Sequence, residues 1–225
     1  MDLRFFEIYR NPEYVQLLIE GAGLSIALTL FGGLAGFALA IGLASVRHFE
    51  LPVAAQVSAA YVDFIRNTPL IVQLFFVTFG LPLLFGYAWP FWAHASLALT
   101  LNFSAYFAEI VRAGLASLPK GQIEAAMALG LHKRQIFFKI SLPQAIAATY
   151  PSLNSQFIFL FLTTGIIAQI GVTDLTYAGL FIDSRTFRSF EVFITLTIMY
   201  VAIALSFKAM LAQLHRFTFA WVGAR

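Results

Sequence analysis

Residues 124–143 read EAAMALGLHKRQIFFKISLP. The stretch lies between long apolar runs, yet it mixes polarities. Glu124 to Leu131 is rich in strong helix formers. Gly130 offers a tight turn or a helix C-cap where a side chain would obstruct. HKRQIFFKI then brings Lys133, Arg134 and Lys139 together with an apolar cluster of Ile136, Phe137 and Phe138. Pro143 is expected to open the next helix, where a missing N–H costs little. The unit reads as a short helix, a glycine turn and a second short helix. Such a unit either lies on anionic lipid or docks its apolar face into a groove on a soluble partner.

The surrounding chain selects the setting. Its 225 residues suit one domain, 1–225. Only 11% are charged, and the mean hydropathy is +0.82. A soluble core of this size does not hide that much apolar surface, so lipid must cover part of it. There is no cysteine, which removes disulfides and thiolate metal sites. The formal charge of +3 fits basic residues gathered on the cytoplasmic side of a membrane. No basic stripe is interleaved with aromatics, so nucleic acid is not an expected partner. The opening MDLRFFEIYRNPEYVQ carries both signs of charge and does not read as a cleaved leader.

An all-α, polytopic membrane fold of about five transmembrane helices follows from the apolar runs. Leu24 to Val46 is uncharged and long enough for one span. Within it Gly32, Gly36, Ala40 and Ala44 repeat every fourth residue on one face, either for close helix packing or as ordinary membrane-helix composition. Asn67 to Ala108 has no Asp, Glu, Lys or Arg, too long for one span and right for two. GLPLLFGYAWPF at 80–91 marks the break. Helices are expected over 56–80 and 92–113, then over 144–173, and finally from Val192 to beyond Lys208.

With five spans the termini lie on opposite sides. An external amino terminus places Arg47, Arg66, Arg112, Lys120, Lys133, Arg134, Lys139, Lys208, Arg216 and Arg225 inside, against Arg4, Arg10, Arg185 and Arg188 outside. The positive-inside rule favours this arrangement. It makes 1–20 an external segment, 114–143 a cytoplasmic loop, 174–191 an external loop, and the carboxyl terminus cytoplasmic.

The chain lacks a GxxxxGK[ST] phosphate loop, an HExxH pair and a GxSxG elbow, so neither ATP binding by that route, nor a metal site, nor covalent catalysis is expected. Glu20, Asp63 and Glu109 lie near span ends and read as interfacial or paired carboxylates, not as a proton relay.

The opening stretch carries a resemblance. Glu124, Ala125, Ala126, Gly130, Ile140, Leu142 and Pro143 match the EAA loop of bacterial ABC importer membrane subunits. FIRNTPLIVQLFF (64–76), SAYFAEIVRAGLASLPKGQIEAAMALG (104–130) and IGVTDLTYAG (170–179) are similar to the branch that imports polar amino acids of the histidine, glutamate and glutamine type. The resemblance implies the type I importer permease fold in the bacterial inner membrane. It implies a transport subunit and not an enzyme, with alternating access driven by a separate ATPase. The partners it implies are two ATPase copies holding ATP and Mg, a second permease that is either a paralogue or the same chain, and a periplasmic or lipid-anchored amino-acid-binding protein, all set in membrane lipid. In that reading Glu124, Ala125, Ala126, Gly130, Ile136, Phe137, Leu142 and Pro143 form the contact with the ATPase. Glu124 holds it, Gly130 turns it, and the apolar residues fill the cleft.

The expected substrate path consists of polar residues inside spans: Asn67, Thr68 and Gln73, then Asn102, then Asn154, Ser155, Gln156, Thr163 and Thr164. Polar groups facing lipid are costly, so these face protein or water. Where many members resemble GNEFI and KDTS, this chain has NSQFI (154–158) and LTTG (162–165). The family's Glu falls on Gln156 and its Lys-Asp on Leu162 and Thr163. Either the substrate is acidic or neutral, or this subunit is the non-binding half of a heterodimer. A permease for methionine or an inorganic ion is the alternative within the class. An ATP-independent channel or carrier, or a membrane-anchored scaffold, lies outside it.

Overall fold

The computed structural model describes residues 3–219. Those residues are helical with short connections. After a single turn at Phe6–Tyr9, α1 runs from Pro12 to His48, 37 residues. Asn11 caps it, its side chain accepting from the Glu13 N–H at 3.0 Å. Arg47 sits in its last turn, where positive charge suits the helix C-terminus. At 1.5 Å per residue it is about 55 Å long, well beyond a hydrocarbon core of about 30 Å. The helix therefore begins twelve residues before the expected Leu24 and carries Glu13 and Glu20 on its extra turns.

The second expected helix, 56–80, is corrected. It starts at Pro52 and stops at Arg66 as α2. A separate α3, Leu70–Phe85, leaves it at 108°. Proline explains the stop. Pro69 has no N–H to donate and disfavours helical backbone at Thr68. The expected break at 80–91 begins later, because α3 passes through a wide π turn at Phe76–Gly80 and ends at Gly86 with φ +69°.

α4 spans Phe91–Ala116, and α5 spans Lys120–Ala128. α6 runs continuously over Lys133–Ile170. The expected start at 144, with Pro143 opening the helix, is thereby corrected. Pro143 instead follows a π turn at Phe137–Ser141, which has already displaced the regular bonding that a proline would break. α6 tightens to a 3₁₀ turn over Thr164–Ile170 and ends at Gly171, φ +81°. The expected external loop 174–191 is largely helix: α7, Leu175–Thr186, followed by Phe187 at φ +53°. α8 is Ser189–Thr218.

By length and composition α1, α6 and α8 are able to cross a membrane, and the bent pair α2 and α3 makes a fourth candidate. The third expected span, α4, has 26 residues but falls outside that set. The reason is its position: it is enclosed by α1, α2, α3 and α6, so it need not be apolar all round.

The α1–α4 pair is the most intimate in the molecule. Gly32, Gly36, Ala40 and Ala44 are all buried along it. A Cβ on Gly36 would sit 3.3 Å from the Ser104 nitrogen and 3.3 Å from the Thr100 oxygen. The backbones themselves are therefore in contact. A second core joins Leu18 of α1 with Leu175, Ala178 and Ile182 of α7 and Val192 and Leu196 of α8.

At the head of α7, Asp174 is fully buried and accepts from the Tyr177 N–H at 2.9 Å. Burial pushes its carboxyl up to about 6.

Two predictions follow from this packing. Gly36→Val forces α1 off α4, and we expect loss of the monodisperse protein in detergent gel filtration. Gly42→Val is the control, because a Cβ there meets nothing within 4 Å. The raised Asp174 value disfavours the charged form in the fold relative to the unfolded chain. Stability is therefore greatest below the ordinary carboxylate range and falls as pH rises through about 6. The difference is on the order of 3 kcal/mol. Asp174→Asn keeps a good cap and removes the charge. We expect it to melt at higher temperature than wild type at neutral pH, and the two to converge near about pH 4.

Candidate substrate cleft and coupling surface

The break between α2 and α3 frees carbonyl groups at the end of α2, and local side chains satisfy them. Asn67 Nδ2 donates to Asp63 O at 2.7 Å, and Thr68 Oγ1 to Phe64 O at 3.0 Å. Gln73 reaches back from α3. Its Nε2 donates to Ile65 O at 2.8 Å and to Thr68 Oγ1 at 2.6 Å. Its Oε1 accepts from Asn102 Nδ2 of α4 at 2.9 Å. One amide thus ties the broken span to the central helix.

An open cleft of about 500 Å³ lies at this break. Asn67, Thr68, Asn102 and Thr163 line it, four of the expected path residues brought together from three separate stretches of sequence. Gln73 stands behind them as their brace. Phe103, Tyr106 and Phe159 supply an aromatic wall. Arg66 stands at its edge, the guanidinium carbon 5.7 Å from the centre of the Tyr106 ring. Among the described residues no carboxylate lines the cleft.

The other path residues lie elsewhere. Thr164 is fully buried and donates to Phe161 O at 2.7 Å. Ser155 Oγ donates along its own helix to Pro151 O at 3.0 Å. Asn154 and Gln156 are absent from the lining, and Gln156 Nε2 is buried without a hydrogen-bond partner among the described residues. Arg66 and the aromatic wall were missing from the expected path, which collected only uncharged polar residues. The signal for Arg66 was its place directly before Asn67-Thr68-Pro69, where the helix breaks.

Beside the cleft, Glu109 of α4 is paired. Arg47 Nη1 of α1 approaches it at 3.4 Å, and Arg112 Nε at 3.0 Å. Among the described residues no group of three or more His, Asp or Glu gathers to hold a metal ion.

The segment at 124–143 presents a different surface from the expected one. Glu124, Ala125 and Gly130 are exposed, and Gly130 turns at φ +79°. The His132 N–H donates to Gln135 Oε1 at 3.0 Å and starts α6 cleanly. Ile136, Phe137 and Leu142, expected to fill a partner's cleft, are instead buried in the chain's own core, as is Ala126. The apolar residues left outward are Met127, Leu129 and Phe138. Leu129 is 80% exposed. The correction follows from helix geometry. Because α6 begins at Lys133, Ile136 and Phe137 belong to a long helix packed on the bundle, not to a free surface helix.

Comparison with known proteins agrees with this architecture. Residues 32–219 match the family described as binding-protein-dependent transport system inner membrane component. The probable amino-acid ABC transporter permease PatM of Vibrio harveyi is 32% identical over 87% of this chain and 88% of its own length. The L-cystine permease TcyL of Bacillus subtilis is 34% identical, over 90% and 87%. The glutamine permease GlnP of Escherichia coli is 33% identical, over 90% and 93%. A crystal structure of an amino acid ABC transporter with histidines superposes with a TM-score of 0.84 at 32% identity, covering 96% of this chain and 99% of that one. The MetNI methionine transporter in an inward-facing form shares the fold, with a TM-score of 0.79 at 20% identity, over 92% and 99%. The fold therefore has its counterpart in a known amino acid ABC transporter, and the chain belongs to the inner-membrane components of binding-protein-dependent transport systems.

Proposed function

We propose that this chain is a transmembrane subunit of an ATP-driven importer of polar amino acids, working by alternating access. One observation carries the reading: a single chain combines an exposed EAA segment with a polar cleft at a broken span. The relatives named for glutamine and cystine support the substrate class. In this reading residues 114–143 and the carboxyl terminus face the cytoplasm, and 1–20 and 174–191 face outward. Glu124, with exposed Met127, Leu129 and Phe138, meets one of two ATPase copies, which bind ATP and Mg. A second permease, identical or paralogous, completes the pore, and a binding protein delivers the substrate outside. The energy for the cycle comes from different nucleotide affinity in the two states.

The cleft also bears on selectivity. Among the described residues the charge on its lining is the Arg66 guanidinium, and by the family resemblance Thr163 falls where the family pattern would put an Asp. A cation at the edge and no carboxylate favour an acidic or neutral amino acid over a cationic one.

The test is purification of the tagged chain in mild detergent, followed by native mass spectrometry. The expected species holds two ATPase copies and two permeases; a chain that emerges alone overturns the reading. Glu124→Lys is expected to weaken ATPase recovery by about tenfold. Thr163→Asp is expected to move uptake in proteoliposomes toward cationic amino acids. Competition assays with arginine, glutamate and glutamine measure the shift, and an unchanged ranking removes the cleft from the substrate path.

A further inference from the structure

Phe137 is one of the residues expected in the ATPase contact that the fold instead turns into the chain's own interior. Its side chain is fully buried. Its ring centre lies 4.9 Å from that of His48 and 5.1 Å from that of Phe49. Both belong to the tip of the hairpin between α1 and α2. That tip is stiff. The Phe49 N–H donates to Ser45 O at 2.9 Å and the Leu51 N–H to Val46 O at 3.3 Å. Between them Glu50 is held at φ +51°, an uncommon conformation for a residue other than glycine.

The covalent links between the EAA segment and the bundle are irregular. Residues 117–119 connect α4 to α5 without regular helix. The π turn at Phe137–Ser141 interrupts the regular bonding of α6 just where the segment joins it. Ser141 Oγ, in that turn, is buried without a hydrogen-bond partner among the described residues. A push on the segment would be absorbed at these two places unless something else joins it to the bundle. The aromatic grip of Phe137 on the hairpin tip is that joint.

From the tip, α2 runs 15 residues, about 22 Å, to the cleft. Midway, Tyr61 OH is bonded to α4, donating to Leu101 O at 2.9 Å and lying 2.8 Å from Ser104 Oγ. Its far end is Arg66 and Asn67, which line the cleft. A displacement at the tip therefore reaches the cleft wall along one helix pinned near its middle.

We propose that Phe137 is a positioning residue of transport: it fastens the EAA segment to the hairpin tip, so that motion of the segment is delivered along α2 to the substrate cleft. The inference rests on the importer reading above.

The test uses the whole complex in proteoliposomes and measures uptake and ATP hydrolysis together. Phe137→Ala is expected to assemble and to lose at least about tenfold in amino acid moved per ATP hydrolysed. Phe137→Leu, which keeps most of the volume, is expected to stay within about threefold of wild type. A merely structural role would lower the yield and leave the ratio unchanged, and that result overturns the proposal. A second measurement does not depend on the alanine variant folding. The chain has no native cysteine, so spin labels at Glu50→Cys and at exposed Lys139→Cys are easily placed, with cysteine-free partners. Their separation is expected to be the same in nucleotide-free and ATP-trapped complexes, as for two parts of one body. A separation that changes with nucleotide overturns the joint. Failure of the wild-type chain to recover an ATPase would instead strike the importer reading itself.

Discussion

In lipid, two apolar helices gain little by hiding from solvent, because the acyl chains are as apolar as leucine. What joins α1 to α4 is close packing, and close packing needs small residues. Gly32, Gly36, Ala40 and Ala44 provide it along one face of α1. With α1 seated on it, α4 becomes the axis of the molecule, and α2, α3 and α6 pack around it. That position lets α4 carry groups that a lipid-facing helix would not tolerate. Asn102 reaches the cleft, and Glu109 meets arginines from α1 and from its own helix. The polar interior of the protein thus depends on a contact made of glycine and alanine.

The second constraint is that every backbone group freed inside a membrane needs a partner. Breaking the span at Asn67-Thr68-Pro69 releases carbonyls from α2, and Asn67, Thr68 and Gln73 answer them at once. The same side chains then form the wall of the cleft or brace it. A structural necessity and a binding surface are built from one set of amides and hydroxyls. This is why polar residues expected on the path from their cost in lipid do gather at the cleft when they lie near the break, and do not when they lie at 154–156.

Hydropathy and spacing made the helical class and the small-residue face of α1 legible, because each follows from runs and periods. The EAA pattern made the family legible through fixed positions. Boundaries were harder. Pro69 follows two polar residues in an uncharged stretch, and an uncharged stretch reads as one span until the proline is weighed. Pro143 misled in the opposite sense. A proline marks a helix start only when the preceding turn is not helical, and a π turn cannot be seen in composition. Arg66 was overlooked because a charge at a span end is usually an interfacial anchor. The bend turns that end inward.

The basic amphipathic segment at 124–143 has two apolar faces, not one. Met127, Leu129 and Phe138 point outward, while Ala126, Ile136, Phe137 and Leu142 enter the core. A segment that only had to bind a partner needs the first set alone. A segment that only had to pack needs the second. Possession of both is what a mechanical link requires, since force applied through one face must leave through the other. The outward face is small and interrupted by charge, suited to contact with a soluble protein. The inward face is aromatic and continuous with the hairpin tip through His48 and Phe49. The order of residues along this stretch, with Phe137 inward and Phe138 outward, therefore places adjacent phenylalanines on opposite sides of one joint.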